Sequence, residues 1–295
     1  MRNILLTLGL LTFLTQAQAQ SFDLLVLGTA QDAGYPQAGC EKSCCKAVKA
    51  KEGVASVAIQ TEGKFWIIDA TPDFTAQLQL AKDKFPGSKL EGIFLTHAHI
   101  GHYTGLMYLG KEAMNPDSLK VYCMPRMAEF LKNNGPWDQL MKNGNIKVIE
   151  LKSNEGVRLG SYANITPIEV PHRDEYSETV AYMIASKKKK GIYIPDIDKW
   201  ENWKISISDY LNFVDFALLD ATFSNADELP GRDMKEIPHP LVSETTESFK
   251  DLKSTNKQKV YFIHMNHTNP LLWDSAEQAR IENLGFRIAK TGLTL

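Results

Sequence analysis

The chain has 295 residues, 43% of them hydrophobic and 23% charged, which excludes a disordered segment, a collagen-like fibre and a polytopic membrane protein. Its 33 basic and 35 acidic residues leave a net charge of −2. With no basic excess to neutralise phosphates, the expected partner is a small-molecule substrate and not nucleic acid, while composition leaves the oligomeric state open.

Arg2, the apolar run Ile4–Leu14 and the small residues Ala17-Gln18-Ala19 have the layout of a secretory signal. Residues 1–19 are therefore expected to be removed, leaving a mature domain over residues 20–295 in the periplasm or outside the cell. The run is too short to span a bilayer, and no other stretch reaches the roughly 18 apolar residues of a membrane helix.

Phe22–Gly28 is short, apolar and closed by glycine, which predicts a buried strand. Ser56–Gln60 and Phe65–Asp69 pair around Glu62-Gly63, and an amphipathic helix covers Phe74–Phe85. Gly92–Leu95 is a strand running into a histidine cluster. Lys120–Cys123 is a strand, followed by a helix near Met127–Lys132. Asn145–Leu151, Val157–Leu159 and Ile165–Val170 read as strands. Thr179–Ile184 and Gly191–Pro195 form a further pair around residues 187–190, four lysines taken as a solvated turn. A helix near Ser206–Leu211, a strand Phe216–Leu219 and a loop-like segment Thr222–Leu241, placed to cover a site, come next. A helix near Thr245–Leu252, the strand Val260–Ile263 and a helix over Trp273–Asn283 complete the chain. Strands interleaved with helices, with no repeat and no G-x-G-x-x-G, predict one layered α/β domain without a dinucleotide site.

Three of the seven histidines fall in Thr96-His97-Ala98-His99-Ile100-Gly101-His102, just after a strand. Residues two apart on an extended segment project to one side, so His97 and His99 can grip one ion, with His102 a turn later on the following helix. His172 and His264 each end a strand. Histidines gathered at strand ends point to a shared metal site, and neutral imidazole suits zinc and also iron.

His97-x-His99-x-Gly101-His102 resembles the H-x-H-x-D-H motif of the metallo-β-lactamase fold. The resemblance implies a four-layer αββα sandwich. It implies His97, His99 and His172 as ligands of a first metal and His102 and His264 as ligands of a second. Asp196 is implied as the bridging carboxylate, with Asp198 a nearby competitor. Within the fold the chain is similar to the pyrroloquinoline quinone biosynthesis protein B (PqqB) family. The similarity rests on Leu27-Gly28-Thr29-Ala30 with Gly34-Tyr35-Pro36-Gln37 and Cys40, and on Leu219-Asp220-Ala221-Thr222-Phe223 with Asp227-Glu228-Leu229. Gly231-Arg232-Asp233-Met234 and His264-Met265-Asn266-His267-Thr268-Asn269-Pro270 extend it. Three features depart from that family. Gly101 stands where aspartate is usual and removes a ligand oxygen, the His97/His99 pair is present here where PqqB proteins usually lack it, and this chain is expected to be exported.

Three functions follow. The first is metal-dependent hydrolysis of an ester, lactone, phosphodiester or amide. Three histidines leave an open coordination position, and Asp196 orients an activated water or takes its proton. His102 and His264 then hold a weak second ion or donate hydrogen bonds to the substrate, and the loss at Gly101 favours one tightly held ion. Zinc is the expected metal, with iron or manganese as alternatives. The second is an iron-dependent oxygenase or hydroxylase, as the PqqB resemblance implies. The third is a binding protein with a degenerate site.

Asp32 and His239 are candidate substrate contacts, His267 a candidate substrate contact or supporting group behind the ligands, and Asp220 a candidate orienter of ligands. Cys40, Cys44 and Cys45 suit a structural zinc of the kind some relatives in this fold carry, with a disulfide or plain packing as rivals. Cys123 reads as core.

Overall fold

The apolar runs become strands because both of their faces are covered. The computed structural model describes residues 21–46, 48 and 50–295, so the expected export segment, residues 1–19, lies outside the described residues. Six strands, β1 (Asp23–Gly28), β2 (Ser56–Thr61), β3 (Lys64–Ile68), β4 (Lys89–Phe94), β5 (Leu119–Cys123) and β6 (Ile146–Glu150), form one sheet in chain order. Seven more, β7 (Val157–Leu159), β8 (Ala163–Glu169), β9 (Val180–Ser186), β10 (Lys190–Ile194), β11 (Phe216–Asp220), β12 (Val260–Ile263) and β13 (Arg287–Ile288), form a second sheet in the order β13-β12-β11-β10-β9-β8-β7.

The period-2 alternation of strand side chains divides the core. Leu24 and Val26 of β1 face the second sheet, in one cluster with Tyr182, Tyr193, Leu218 and Ile263. Leu25 and Leu27 face outward onto Phe74, Leu78 and Ala81 of the Phe74–Lys84 helix. On the second sheet, Ile192, Leu219 and Phe262 face outward onto Val242 and Ile281, which belong to the helices Val242–Ser248 and Ser275–Asn283. Phe94 joins the sheets, stacked on Tyr122 at 4.4 Å and edge-on to Tyr182 at 5.6 Å. The result is the expected αββα sandwich. The β2–β3 hairpin turns at Glu62 and Gly63, whose φ of 52° and 71° suit the twist of flanking strands.

Some expectations need correction. The lysine turn is not simply solvated, because Lys189 Nζ donates to the Phe22 carbonyl at 2.9 Å and lies over the Phe22 ring. Lys190 already belongs to β10. The helix that carries His102 is a single turn, Ile100–Tyr103. Elements the sequence did not announce are the helices Trp137–Lys142 and Ser254–Lys257, strand β13, and the final residues Gly292–Leu295, which hydrogen-bond along β1.

Pairing sense sets where function gathers. β1 is antiparallel to β2 and β2 to β3, while β3 and β4 are parallel. The C-terminal ends of β1, β3 and β4 therefore share one edge. In the second sheet β8 and β10 flank β9 antiparallel, and β10, β11 and β12 run parallel, so their C-terminal ends also meet at one edge.

Candidate metal centre

Every candidate ligand follows one of those strand ends. Asp32 lies in the loop after β1, and His97, His99 and His102 follow β4. His172 follows β8, Asp196 follows β10 and His264 follows β12. His264 holds a left-handed backbone, φ 63°, a conformation uncommon for a residue other than glycine.

His97, His99, His172 and Asp196 each offer one ligand atom, and these atoms lie within 4.8 Å of one another. His97 Nε2 stands 3.3 Å and His99 Nδ1 3.9 Å from Asp196 Oδ2, and His172 Nε2 3.2 Å from Oδ1. A second set joins Asp32, His102, Asp196 and His264. His102 Nε2 and His264 Nε2 are each 4.0 Å from Asp196 Oδ2, and 3.0 Å and 3.6 Å from Asp32 Oδ1. Asp196 is common to both sets. Asp198 is not a competitor: its oxygens accept from the Lys199 backbone and from Asn202.

Two aspartates behind the ligands fix the imidazoles. Asp69 accepts from the Thr96 hydroxyl at 2.9 and 3.0 Å, so that hydroxyl accepts in turn from His97 Nδ1 at 3.0 Å. Asp220 accepts from the Thr222 hydroxyl at 2.7 Å, which accepts from His264 Nδ1 at 3.1 Å. Each chain places the proton on Nδ1 and leaves Nε2 bare toward the centre, the arrangement that orients a metal-binding histidine. The same aspartates also bond a histidine directly, Asp69 to His102 Nδ1 at 2.7 Å and Asp220 to His239 Nδ1 at 2.9 Å. Asp220, the expected orienter, thus bonds Thr222 and His239. Asp69 escaped the sequence reading. Its signal was present, for Ile68-Asp69-Ala70-Thr71 repeats the Asp-Ala-Thr of Leu219-Asp220-Ala221-Thr222 at the end of another apolar strand.

The donor atoms fit a cation. Nε2 of His97, His102, His172 and His264, Nδ1 of His99, Oδ1 of Asp32 and Oδ1 of Asp196 are buried without a hydrogen-bond partner. Leaving such groups unsatisfied costs about 1–3 kcal/mol each. They are nitrogen and oxygen donors that face one another, and a divalent cation satisfies them together.

Charge is arranged accordingly. Burial pushes the Asp196 carboxyl up, but His172, His239 and His264 outweigh it and hold the group well below the usual carboxylate range. Burial likewise opposes ionisation of Asp32, and His102 and His264 overcome it. Burial and then the neighbouring His102 drive His97 well below the ordinary histidine value, which keeps it neutral. His239 sits against both Asp220 and Asp196, the latter at 3.2 Å from Nδ1. Burial disfavours its charge, yet the two carboxylates push its pKa up to about 10.

Several expectations change. Gly101 does not cost the second set its oxygen, because Asp32 brings one from another loop. Asp32, expected at a substrate rim, lies in one group with His102, Asp196 and His264. His102 is not free to donate to a substrate, since it is fully buried with its two nitrogens turned to Asp69 and Asp32. His267, expected as a substrate or supporting group, bonds Asn266 at 2.8 Å. Cys40, Cys44 and Cys45 bring their sulfurs within 4.8 Å, none of them in a disulfide. Cys123 is buried in the core as expected.

With the site in view, comparison with known proteins becomes specific. A family model described as the Beta-lactamase superfamily domain matches residues 66–265, which carry every candidate ligand of the two sets except Asp32. The chain belongs to the Beta-lactamase superfamily. Coenzyme PQQ synthesis protein B of Methylorubrum extorquens (strain PA1) is 26% identical over 304 residues, covering 92% of this chain and 99% of its own. The 1.98 Å crystal structure of Zn(2+)-bound PqqB from Methylobacterium extorquens superposes with a TM-score of 0.76 at 22% identity, over 92% of this chain and 99% of that one. A diphosphatase from the PhnP family superposes with a TM-score of 0.68 at 22% identity, over 93% and 96%. At this identity the two structures establish the superfamily fold and leave the reaction to the site itself.

Proposed function

We propose that the protein is an exported hydrolase of small molecules that depends on divalent cations, with a phosphodiester as the substrate class that suits the site best among ester, lactone, phosphodiester and amide. The observation that carries this reading is that the candidate ligand sets share Asp196, and that one of them brings His239 and Asp220 against the same carboxylate. Zinc is the expected metal, and the zinc-bound PqqB structure supports it. Divalent cations held by these residues would supply Lewis acidity and would lower the pKa of a bound water to about 7.

The chain's own residues supply the rest. Hydrolysis forms a bond from the water oxygen to phosphorus, releases one water proton to solvent, breaks the bond to the leaving oxygen and requires a proton there. Against burial, the two carboxylates raise the pKa of His239, and Asp220 fixes its Nδ1, so it is the group assigned to deliver that proton. Asp196, held ionised, keeps negative charge at the centre of both sets. The segment Phe223–Leu241, pinned by Phe223, Ile237 and Leu241, presents His239 and acts as the cover. The charge balance supports a small molecule over nucleic acid, and the layout of residues 1–19 supports export.

The similarity to coenzyme PQQ synthesis protein B over nearly the whole chain favours a second reading, an iron-dependent oxygenase, for which His97, His99 and Asp196 supply two histidines and a carboxylate. One assay separates the two. Protein loaded with zinc or manganese is given bis(p-nitrophenyl) phosphate, p-nitrophenyl acetate and a lactone under nitrogen. Phosphodiester turnover is expected, reduced at least a hundredfold in His239→Ala. Absence of hydrolysis, with oxygen uptake in the iron-loaded protein, would replace the hydrolase reading by the second.

A further inference from the structure

We propose that Asp32 is the carboxylate ligand of the second cation, supplied from the β1 loop to the space that Gly101 leaves free. This inference rests on the metal centre and not on the reaction proposed above.

Gly101 lies in the helical turn Ile100–Tyr103 and does not have a positive φ. Glycine is therefore required there for room and not for backbone freedom. A Cβ at position 101 would stand 2.9 Å from Asp32 Cβ, 2.5 Å from Asp32 Oδ1 and closer still to Asp32 Cα, distances that side chains do not sustain. A side chain at 101 and the present path of the Asp32 loop exclude each other. The carboxylate usual after the second histidine of the motif is absent, and another carboxylate fills the same space.

The loop is built to hold that carboxylate. Gln31 N donates to the Met265 carbonyl at 2.8 Å and Met265 N to the Thr29 carbonyl at 2.8 Å, so the backbone before Asp32 is tied to the residue after His264. Gly34 N closes a turn onto Gln31 O at 2.8 Å. Asp32 Oδ1 then points between His102 Nε2 and His264 Nε2, at 3.0 and 3.6 Å. All three atoms are buried without hydrogen-bond partners, and both histidine side chains are wholly covered. With Asp196 they make two nitrogens and two carboxylates around one point, a donor set suited to zinc or manganese. A simple Asp32–His102 ion pair leaves His264 Nε2 unexplained, whereas a shared cation accounts for both histidines.

Titration of the metal-free protein with zinc chloride, read by elemental analysis after buffer exchange and by competition with a chromophoric chelator, tests the assignment. Wild type is expected to retain two ions in the histidine centre once the Cys40→Ala/Cys44→Ala/Cys45→Ala background removes any thiol-bound zinc. Asp32→Asn, which keeps the shape and removes the charge, is expected to retain one and to weaken the second by about a hundredfold. Gly101→Ala, compared by circular dichroism to verify folding, is expected to lose the same ion because its methyl displaces the loop. Two tightly held ions in Asp32→Asn would overturn the proposal. So would a wild-type centre that saturates at one ion. Neither result depends on turnover, so a failure here is distinct from a failure of the hydrolase reading.

Discussion

Asp69 and Asp220 show how much of the centre is decided by residues that touch no substrate. Each accepts from a threonine hydroxyl and from a histidine Nδ1, so one carboxylate fixes two imidazoles. Replacing such a partner of a metal ligand typically costs 10–100-fold in metal affinity. Asp69→Ala is accordingly expected to weaken zinc binding by that range in a competition titration, with a larger effect on the ion held by His102 than on that held by His172. Equal affinities in the variant and wild type would remove Asp69 from this role. The thiols give a pH-dependent counterpart. Cys45 and Cys40 share a hydrogen bond that lowers the Cys40 pKa, while burial first, and then that bond, push Cys45 up to about 11. Burial drives Cys123 to about 12. The thiolate is the reactive form, so in chelator iodoacetamide should modify Cys40 first as pH rises, then Cys45, and leave Cys123 for the unfolded chain. Peptide mass mapping of a pH series reads this order, and early labelling of Cys123 would contradict it.

At the scale of elements, the strands were legible because most are buried on both faces and appear as apolar runs closed by turn residues. The histidine motif was legible because its spacing is local. What could not be read was non-local. Asp32 and Gly101 are far apart in sequence, and only the pairing of β1 through β2 and β3 to β4 brings their loops together. The Trp137–Lys142 helix is short and gives no long period to detect. The last residues look like an ordinary tail, yet they cap an exposed sheet edge. Leu24 N donates to Leu295 O at 2.9 Å, Leu295 N to Leu24 O at 2.8 Å, Val26 N to Leu293 O at 2.9 Å and Gly292 N to Val26 O at 2.9 Å. Leu293 and Leu295 also pack on the core between the sheets. Those four bonds contribute about 2–6 kcal/mol at about 0.5–1.5 kcal/mol each, and they cover the open edge of β1. Deleting residues 292–295 should lower the midpoint of urea unfolding by a corresponding amount and promote aggregation. An unchanged midpoint would show the tail to be dispensable.

For the whole molecule, the centre is a joint between the two sheets. Asp32, His97, His99 and His102 hang from the first, and His172, Asp196 and His264 from the second. A cation bound among them stabilises only the state in which the sheets are packed, by about 2.7 kcal/mol at a free concentration of 100 Kd. Under the proposed function, chelation is expected to lower the melting temperature as well as abolish activity. This edge of the sandwich is proposed to hold two cations around Asp196. Anomalous diffraction from crystals grown with zinc tests it most directly. The account predicts two peaks, one within ligand distance of His97, His99, His172 and Asp196 and the other within ligand distance of Asp32, His102, His264 and Asp196. Zinc found at the cysteine cluster alone, or at neither histidine set, would contradict it.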